Sequence, residues 1–377
     1  MSNITPEGPA PAEGAEPQHE AGQAVGGTGD VTERSERAPA EQDPFRPASD
    51  PELDEGPKPP TTTAYGDPEE PGPDSALVIG EALVDIVARA GEEPVEHPGG
   101  SPANVALGLA RLGRDVELVT WFGVDERGAR LRTHLEGENV RLSAASARAP
   151  RTSTARADLD ASGAATYVFD LDWSPPVQDP DRPPLVVHAG SIAAVLEPGA
   201  AAVSEMVDRH RNVATVTYDP NVRPQIMTDH GATTDAVERL VARTDLVKVS
   251  DEDLAWLYPE VDPLESARRW LGSGPAVVCV TRGGDGCWAG TVGGLETRIE
   301  SPRVEVADTV GAGDSFMAAL IDGLWSAGLL GAARRADLRT IAEPVLRRVL
   351  EHAARVAAIT VTRAGANPPT RTELTLG

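Results

Sequence analysis

The chain has 377 residues, 40% hydrophobic and 25% charged, and its 59 acidic against 34 basic residues give a formal net charge of −25. That acidic excess repels phosphate backbones and anionic headgroups, and no uninterrupted apolar run of about 18 residues occurs, so nucleic-acid and membrane partners are disfavoured. The start lacks a basic and an apolar leader region and Cys279 and Cys287 are the only cysteines, which reads as a reducing cytoplasm without a disulfide framework; with Lys58 and Lys248 the only lysines, no phosphate loop ending G-K-[ST] exists.

Residues 1–75 carry 17 acidic and 4 basic residues among Pro, Ala and Gly, without apolar periodicity, and are expected to form a disordered acidic tail. From Ala76 onward, strands alternate with amphipathic helices. ALVIGEALVDIV reads as one buried strand interrupted at Gly80-Glu81, Asn104 to Leu112 as a helix, VELVTWFG as a strand and Glu126 to Leu135 as a helix. LVVHAG, VATVTYDPN, LVKVS and AVVCVTRG continue the strands, and two long helices close the chain, Asp314 to Leu330 and about Leu338 to Ile359. The pattern predicts an α/β fold: a mostly parallel sheet with helices on both faces. Two stretches, about 88–98 and 151–173, break the rhythm; the second alternates polar and apolar residues around Asp-Ala-Ser-Gly and predicts a small antiparallel excursion, a lid. Residues 76–377 are thus expected to be one domain with a minor subdomain.

The segment Asp308-Thr-Val-Gly-Ala-Gly-Asp-Ser-Phe316 precedes an apolar helix. Gly311, Ala312 and Gly313 allow successive N–H groups to point inward at the helix start, where unpaired donors and the positive dipole end form an anion hole. Asp314, in the first turn, can accept the proton of a hydroxyl attacking phosphorus; the plainer account is an ordinary turn with Asp314 complementing the dipole. A second glycine turn, Gly99-Gly100-Ser101-Pro102-Ala103-Asn104, opens an earlier helix. Paired glycines admit a ligand to the main chain, Asn104 offers a donor and an acceptor to a sugar hydroxyl, and Asp85 can grip two neighbouring hydroxyls. The alternatives are a helix-start hydrogen bond for Asn104 and an ion pair for Asp85.

Tyr218-Asp-Pro-Asn-Val-Arg-Pro224 follows a strand end, the edge where open α/β sheets bind ligands, so Asn221 and Arg223 are candidates there. Lys248 ends another strand and is either a phosphate contact or a Schiff-base amine, or simply a lysine reaching solvent. Thr281-Arg-Gly-Gly-Asp-Gly286 can set main chain against a nucleotide. The match of Gly284 to Ala289 with G-x-G-x-x-A is weak because a strand follows it where that fingerprint needs a helix. No His or Cys spacing supports structural zinc.

In this order, Gly80 to Asp85, Gly99 to Asn104, Gly123 to Gly128, Asp219 to Pro224, Val247 to Leu254, Thr281 to Gly286 and Asp308 to Asp314 resemble the ribokinase-like, or PfkB, family of carbohydrate kinases over essentially Ala76 to Gly377. His188 to Pro198 and the A-G-A-N-P-P-T-R-T-E-L segment look most like the family's bacterial fructokinases. The resemblance implies ATP-dependent phosphoryl transfer to a sugar hydroxyl, with Asp314 as base and Gly311 to Gly313 as anion hole. Asp85, Gly99, Gly100 and Asn104 match sugar-contacting positions, and Tyr167 and Phe169 fall where the lid touches the sugar. Asn221, Arg223, Lys248, Thr281, Gly283, Gly284, Gly286 and Asn367 match nucleotide-side positions. Mg2+ would accompany ATP, Asp308 and the Val310 carbonyl are candidates for a K+ ion, and the lid edge is a candidate homodimer contact. A kinase for 2-keto-3-deoxygluconate, ribose or a nucleoside is the alternative within the family; a non-catalytic sugar sensor is disfavoured by the intact Gly-Ala-Gly-Asp.

Overall fold

A computed structural model describes residues 74–89, 91–159 and 165–376; the expected acidic tail lies outside them, apart from Asp74 and Ser75. In chain order, β1 (Ser75–Ile79), β2 (Leu83–Arg89) and β3 (Val95–Gly99) precede α1 (Ser101–Arg111), β4 (Asp115–Val119), α2 (Glu126–Gly137) and β5 (Val140–Leu142). β6 (Thr154–Leu159) and β7 (Ala165–Asp170) follow, then β8 (Pro184–Gly190), α3 (Gly199–His210), β9 (Thr215–Asp219), α4 (His230–Val241), β10 (Leu246–Ser250), α5 (Asp251–Leu257) and α6 (Pro263–Leu271). The remainder is β11 (Val277–Thr281), β12 (Cys287–Thr291), β13 (Glu296–Ile299), α7 (Ala312–Ser326), α8 (Arg335–Arg339), α9 (Glu343–Val361) and α10 (Arg371–Leu376).

Nine strands form the main sheet in the order β13-β12-β11-β10-β9-β8-β1-β4-β5, and a second sheet, the lid, has the order β3-β2-β6-β7. The main sheet is parallel except at β12 and β13, which return antiparallel after the Gly283 turn. Side chains of a strand alternate between faces, and in β1 Ala76 and Val78 join the core under α1, α7 and α9 while Leu77 and Ile79 join the core under α3, α4 and α6. Both faces are therefore covered, as the near-continuous apolar strands require.

The structure departs from the sequence reading at two places. The run from Ala76 to Val87 is two strands, because the chain leaves the main sheet at Gly80 and β2 joins the lid, antiparallel to β3 and parallel to β6. Asp85 is consequently a lid residue. The last long helix starts at Glu343, with Pro344 in its first turn and the short α8 before it; proline lacks the N–H that a helix interior needs but fits a helix start. Among the described residues no helix is long and apolar enough to cross a membrane.

Candidate active site

Gly311 caps α7 at φ 74°, a left-handed conformation, and a Cβ there would lie 2.5 Å from that of Ala366. The N–H groups of Gly313 and Asp314, inside the first turn, make no hydrogen bond among the described residues, so donors and dipole point into the cleft together. Asp314 is 8% exposed. The Ser101 hydroxyl donates to its Oδ1 at 2.7 Å and the Asn104 amide to its Oδ2 at 2.8 Å. Ser101 and Asn104 are one turn apart on α1 and share a face. The helices meet closely because Gly108 of α1 packs on Ala318 of α7, where a Cβ on Gly108 would come within 2.7 Å of the alanine methyl. Thus the fold delivers a buried carboxylate with both oxygens oriented beside a set of free N–H donors, and a carboxylate so held can take a proton from a hydroxyl at this helix end.

Lys248 does not reach solvent. It is 4% exposed, and its Nζ donates to Asp219 Oδ2 at 2.8 Å across β10 and β9. A Cβ on Gly313 would be 2.9 Å from Nζ, so the ammonium sits directly beneath the start of α7. Burial opposes the Lys248 charge, but Asp219 outweighs it and holds the ammonium above the ordinary lysine range. Burial pushes Asp219 up to about 6 against the pull of Lys248, and its Oδ1 has no partner among the described residues. Asn221 follows at φ 41°, and the Val222 N–H donates to Asp253 Oδ1 at 3.0 Å.

The lid brings the sugar-side candidates into one row. His97, Asp85, Ala155 and Phe169 are cross-strand neighbours on β3, β2, β6 and β7 and so project to one face. Tyr167 lies two residues from Phe169 on that face, and their rings stack at 5.9 Å between centroids, 3° from parallel. Gly99 leaves space for Asp85, whose Oδ2 would be 2.0 Å from a Cβ there, and Gly100, at φ 105°, rests on the Glu81 carbonyl. Burial raises the Asp85 carboxyl to about 6 against the opposing charges of His97 and Arg223. Arg223, expected on the nucleotide side, is exposed, donates to the carbonyls of Asn221 and Val222, and its charge reaches Asp85 and Glu81.

The remaining candidates make no hydrogen bond to Asp314 among the described residues, although the segment holding Gly365 and Asn367 borders it through Ala366, which packs on Gly311. Thr281 ends β11 and donates to the Val249 carbonyl at 3.4 Å. Gly283 and Gly284 form an open turn with nothing within 4 Å of a Cβ, whereas Gly286 is pressed against the Ile299 carbonyl. Asp308 accepts from the Val310 N–H at 3.0 Å and the Gly365 N–H at 2.8 Å, bonds that hold its carboxyl below the ordinary range. Asn367 Oδ1 accepts from Arg111 Nη1 at 2.5 Å at the end of α1. Ser101 and Asp219 are partners of site residues that the sequence reading left without a role of their own. Ser101 had a signal, its i,i+3 spacing from Asn104; Asp219 opened the strand-end segment to Pro224, but its lysine partner, 29 residues away, gave no local sign.

A parallel α/β sheet, a helix start with free N–H donors and a buried carboxylate come together at the sheet's C-terminal edge, an arrangement suited to phosphoryl transfer. Residues 74–373 match the pfkB family of carbohydrate kinases. The fructokinase of Rhizobium leguminosarum bv. trifolii is 33% identical over 273 residues, covering 70% of this chain and 83% of its own length. The crystal structure of a fructokinase from Xylella fastidiosa superposes with a TM-score of 0.69 at 26% identity, over 80% of this chain and 98% of its own. Aminoimidazole riboside kinase from Salmonella enterica, solved with aminoimidazole riboside and an ATP analog, gives 0.64 at 25% identity over 80% and 98%. The chain belongs to the pfkB family of carbohydrate kinases, and it is an ATP-dependent sugar kinase.

Proposed function

We propose that this kinase phosphorylates fructose, with Asp314 as the base. The observation that carries the mechanism is the Asp314 carboxylate, oriented by Ser101 and Asn104 beside unpaired N–H groups at the start of α7; the choice of sugar follows the relatives named fructokinases. The sugar lies between Asp85, the Gly99-Gly100 main chain, Asn104 and the Tyr167 and Phe169 rings. Its hydroxyl oxygen forms the new bond to the γ-phosphorus as the bond to the bridging oxygen breaks, ADP departs, and the hydroxyl proton passes to Asp314. Charge developing on the phosphoryl oxygens meets the free N–H donors of Gly313 and Asp314 at the Gly311–Gly313 turn, where the Ala312 N–H is instead donated to the Thr309 carbonyl at 3.3 Å, with the Lys248 ammonium beneath them.

The open turn at Gly283 and Gly284 suits the approach of a nucleotide to main chain, together with Thr281, Gly286, Asn221, Arg223 and Asn367. Mg2+ is carried chiefly by the phosphates. Each Asp308 oxygen accepts one N–H and keeps a lone pair, so Asp308 and the Val310 carbonyl offer hard oxygen ligands suited to K+. The partner by the edges of the lid is a second copy of the chain. A second reading is 2-keto-3-deoxygluconate as acceptor, in which Arg223, close enough to Asp85 for its charge to act on that carboxyl, would serve the sugar instead of the nucleotide. ADP release with ATP and magnesium, measured against fructose, ribose, 2-keto-3-deoxygluconate, tagatose and adenosine, tests both. Turnover highest with fructose is expected; turnover confined to another acceptor replaces the substrate, and none with any sugar overturns the reading.

A further inference from the structure

Glu81 lies where the chain passes from β1 of the main sheet to β2 of the lid, and its side chain is 5% exposed. A buried carboxylate needs donors to be tolerated, and Glu81 finds them in the turn that follows β8. Its Oε2 accepts from the Ala193 N–H at 3.3 Å, and the Ser191 side chain of the same turn favours the charged form of the carboxyl. That turn is itself held in a costly shape: Ser191 has φ 57°, left-handed for a residue with a side chain, directly after Gly190, which is pressed against the Asp219 carbonyl. The main chain of Glu81 meets the glycine turn at Gly100. A Cβ on Gly100 would lie 2.4 Å from the Glu81 carbonyl oxygen and 3.0 Å from Ala82 Cα, so the glycine turn has no slack against this segment.

We propose that Glu81 is a positioning residue for the sugar subsite, tying the root of the lid to the turn after β8 and thereby fixing the Gly99-Gly100 main chain and Asp85. The inference rests on the sugar-kinase reading and assigns Glu81 no contact with either substrate. Losing the anchor affects the sugar side alone, because the start of α7 and the Lys248–Asp219 pair are held by other contacts. Glutamine keeps the anchor, since its carbonyl can accept from the Ala193 N–H as the carboxylate does.

In the full-length chain, Glu81→Ala is expected to raise the KM for the sugar about tenfold, the effect of one lost buried hydrogen bond, with kcat and the KM for ATP within about twofold of wild type. Glu81→Gln should restore the sugar KM to within about threefold, and Ser191→Ala, which deletes the contact from the other side, should raise it in the same direction. Amide exchange supplies a readout independent of turnover: the amides of Ala193 and of residues 99–104 should exchange faster in Glu81→Ala and in Ser191→Ala. An unchanged sugar KM, equal rises in both KM values, or unaltered exchange in these segments would overturn the proposal. If the wild-type chain phosphorylates no sugar, the functional reading falls and the exchange measurement still decides the anchor.

Discussion

In the main sheet, β1, β9 and β12 are buried at every position, whereas in the lid β3 is exposed or half-buried everywhere but Gly99 and β6 is half-buried beyond its first residue. The lid is joined to the rest by both kinds of contact: Val84 and Ile86 of β2 belong to the core under α1, α7 and α9, whereas its outer strands are tied by polar groups. Glu96 of β3 meets Arg127 at 2.6 Å and Arg130 at 3.1 Å on α2, Arg151 meets Asp170 at 2.6 Å, and Asp125 accepts from the Thr152 hydroxyl at 2.6 Å. Exposed ion pairs contribute about 0.2–1 kcal/mol each, against about 1.5–3 kcal/mol for burying one large aliphatic side chain. The outer strands of the lid can therefore shift on their tethers at small cost while β2 and the main sheet stay fixed. The proposed base and anion hole sit on the rigid part, and Tyr167 and Phe169, the proposed aromatic wall for the sugar, sit on the outer strand β7.

This contrast can be broken at either end. On the rigid side, Asp314→Asn should lower kcat about 10²–10⁴-fold while calorimetry still detects nucleotide binding; an active variant would remove the base from the mechanism. Next comes Asp219→Ala, which strands the Lys248 charge in the interior and should cost about 3–5 kcal/mol in urea unfolding. Adding Lys248→Met to Asp219→Ala should return much of that loss, since no buried charge then remains unpaired.

A third test titrates the junction between the two parts. Burial raises Glu81 to about 7, above the ordinary glutamate value of 4.5. Between those values the folded chain holds a proton that the unfolded chain releases, so this group's stabilising contribution is complete below pH 4.5 and is lost as pH rises through 7. Glu81→Gln should accordingly gain stability over wild type on going from pH 5 to pH 8, by up to about 3 kcal/mol, read as a difference in denaturation midpoint across that range. The smallest effect belongs to the lid itself. Tyr167 is 53% exposed, and Tyr167→Ala should move unfolding by less than about 0.5 kcal/mol while raising the sugar KM several-fold.

The alternation of strands and helices was legible because strands buried on both faces read as continuous apolar runs, and the two glycine turns were legible because each immediately precedes a helix. The split of the first run was not, since β2 is buried at its root and its residues are as apolar as those of β1; a single Gly-Glu step does not report a change of sheet. Reaching solvent was the plainer alternative for Lys248 beside a phosphate contact or a Schiff-base amine, and its own neighbours gave no partner, although a lysine within a central strand demands one. Pro344 did carry the signal for a late helix start, which the apolar spacing on either side concealed. The donors to Asp314 depended on α1 and α7 meeting, a contact between residues more than 200 positions apart.

The contact of Gly108 with Ala318 has a consequence for how such a protein can diversify. It stops the two helices at main-chain distance one helical turn beyond the cleft, so the spacing between Asp314 and its donors is gauged by residues that touch no substrate. The acceptor-facing aromatics belong to strands outside that gauge. Exchange of lid residues can therefore alter which alcohol is admitted while the proton-accepting geometry is inherited intact, and the two properties can drift separately within one chain.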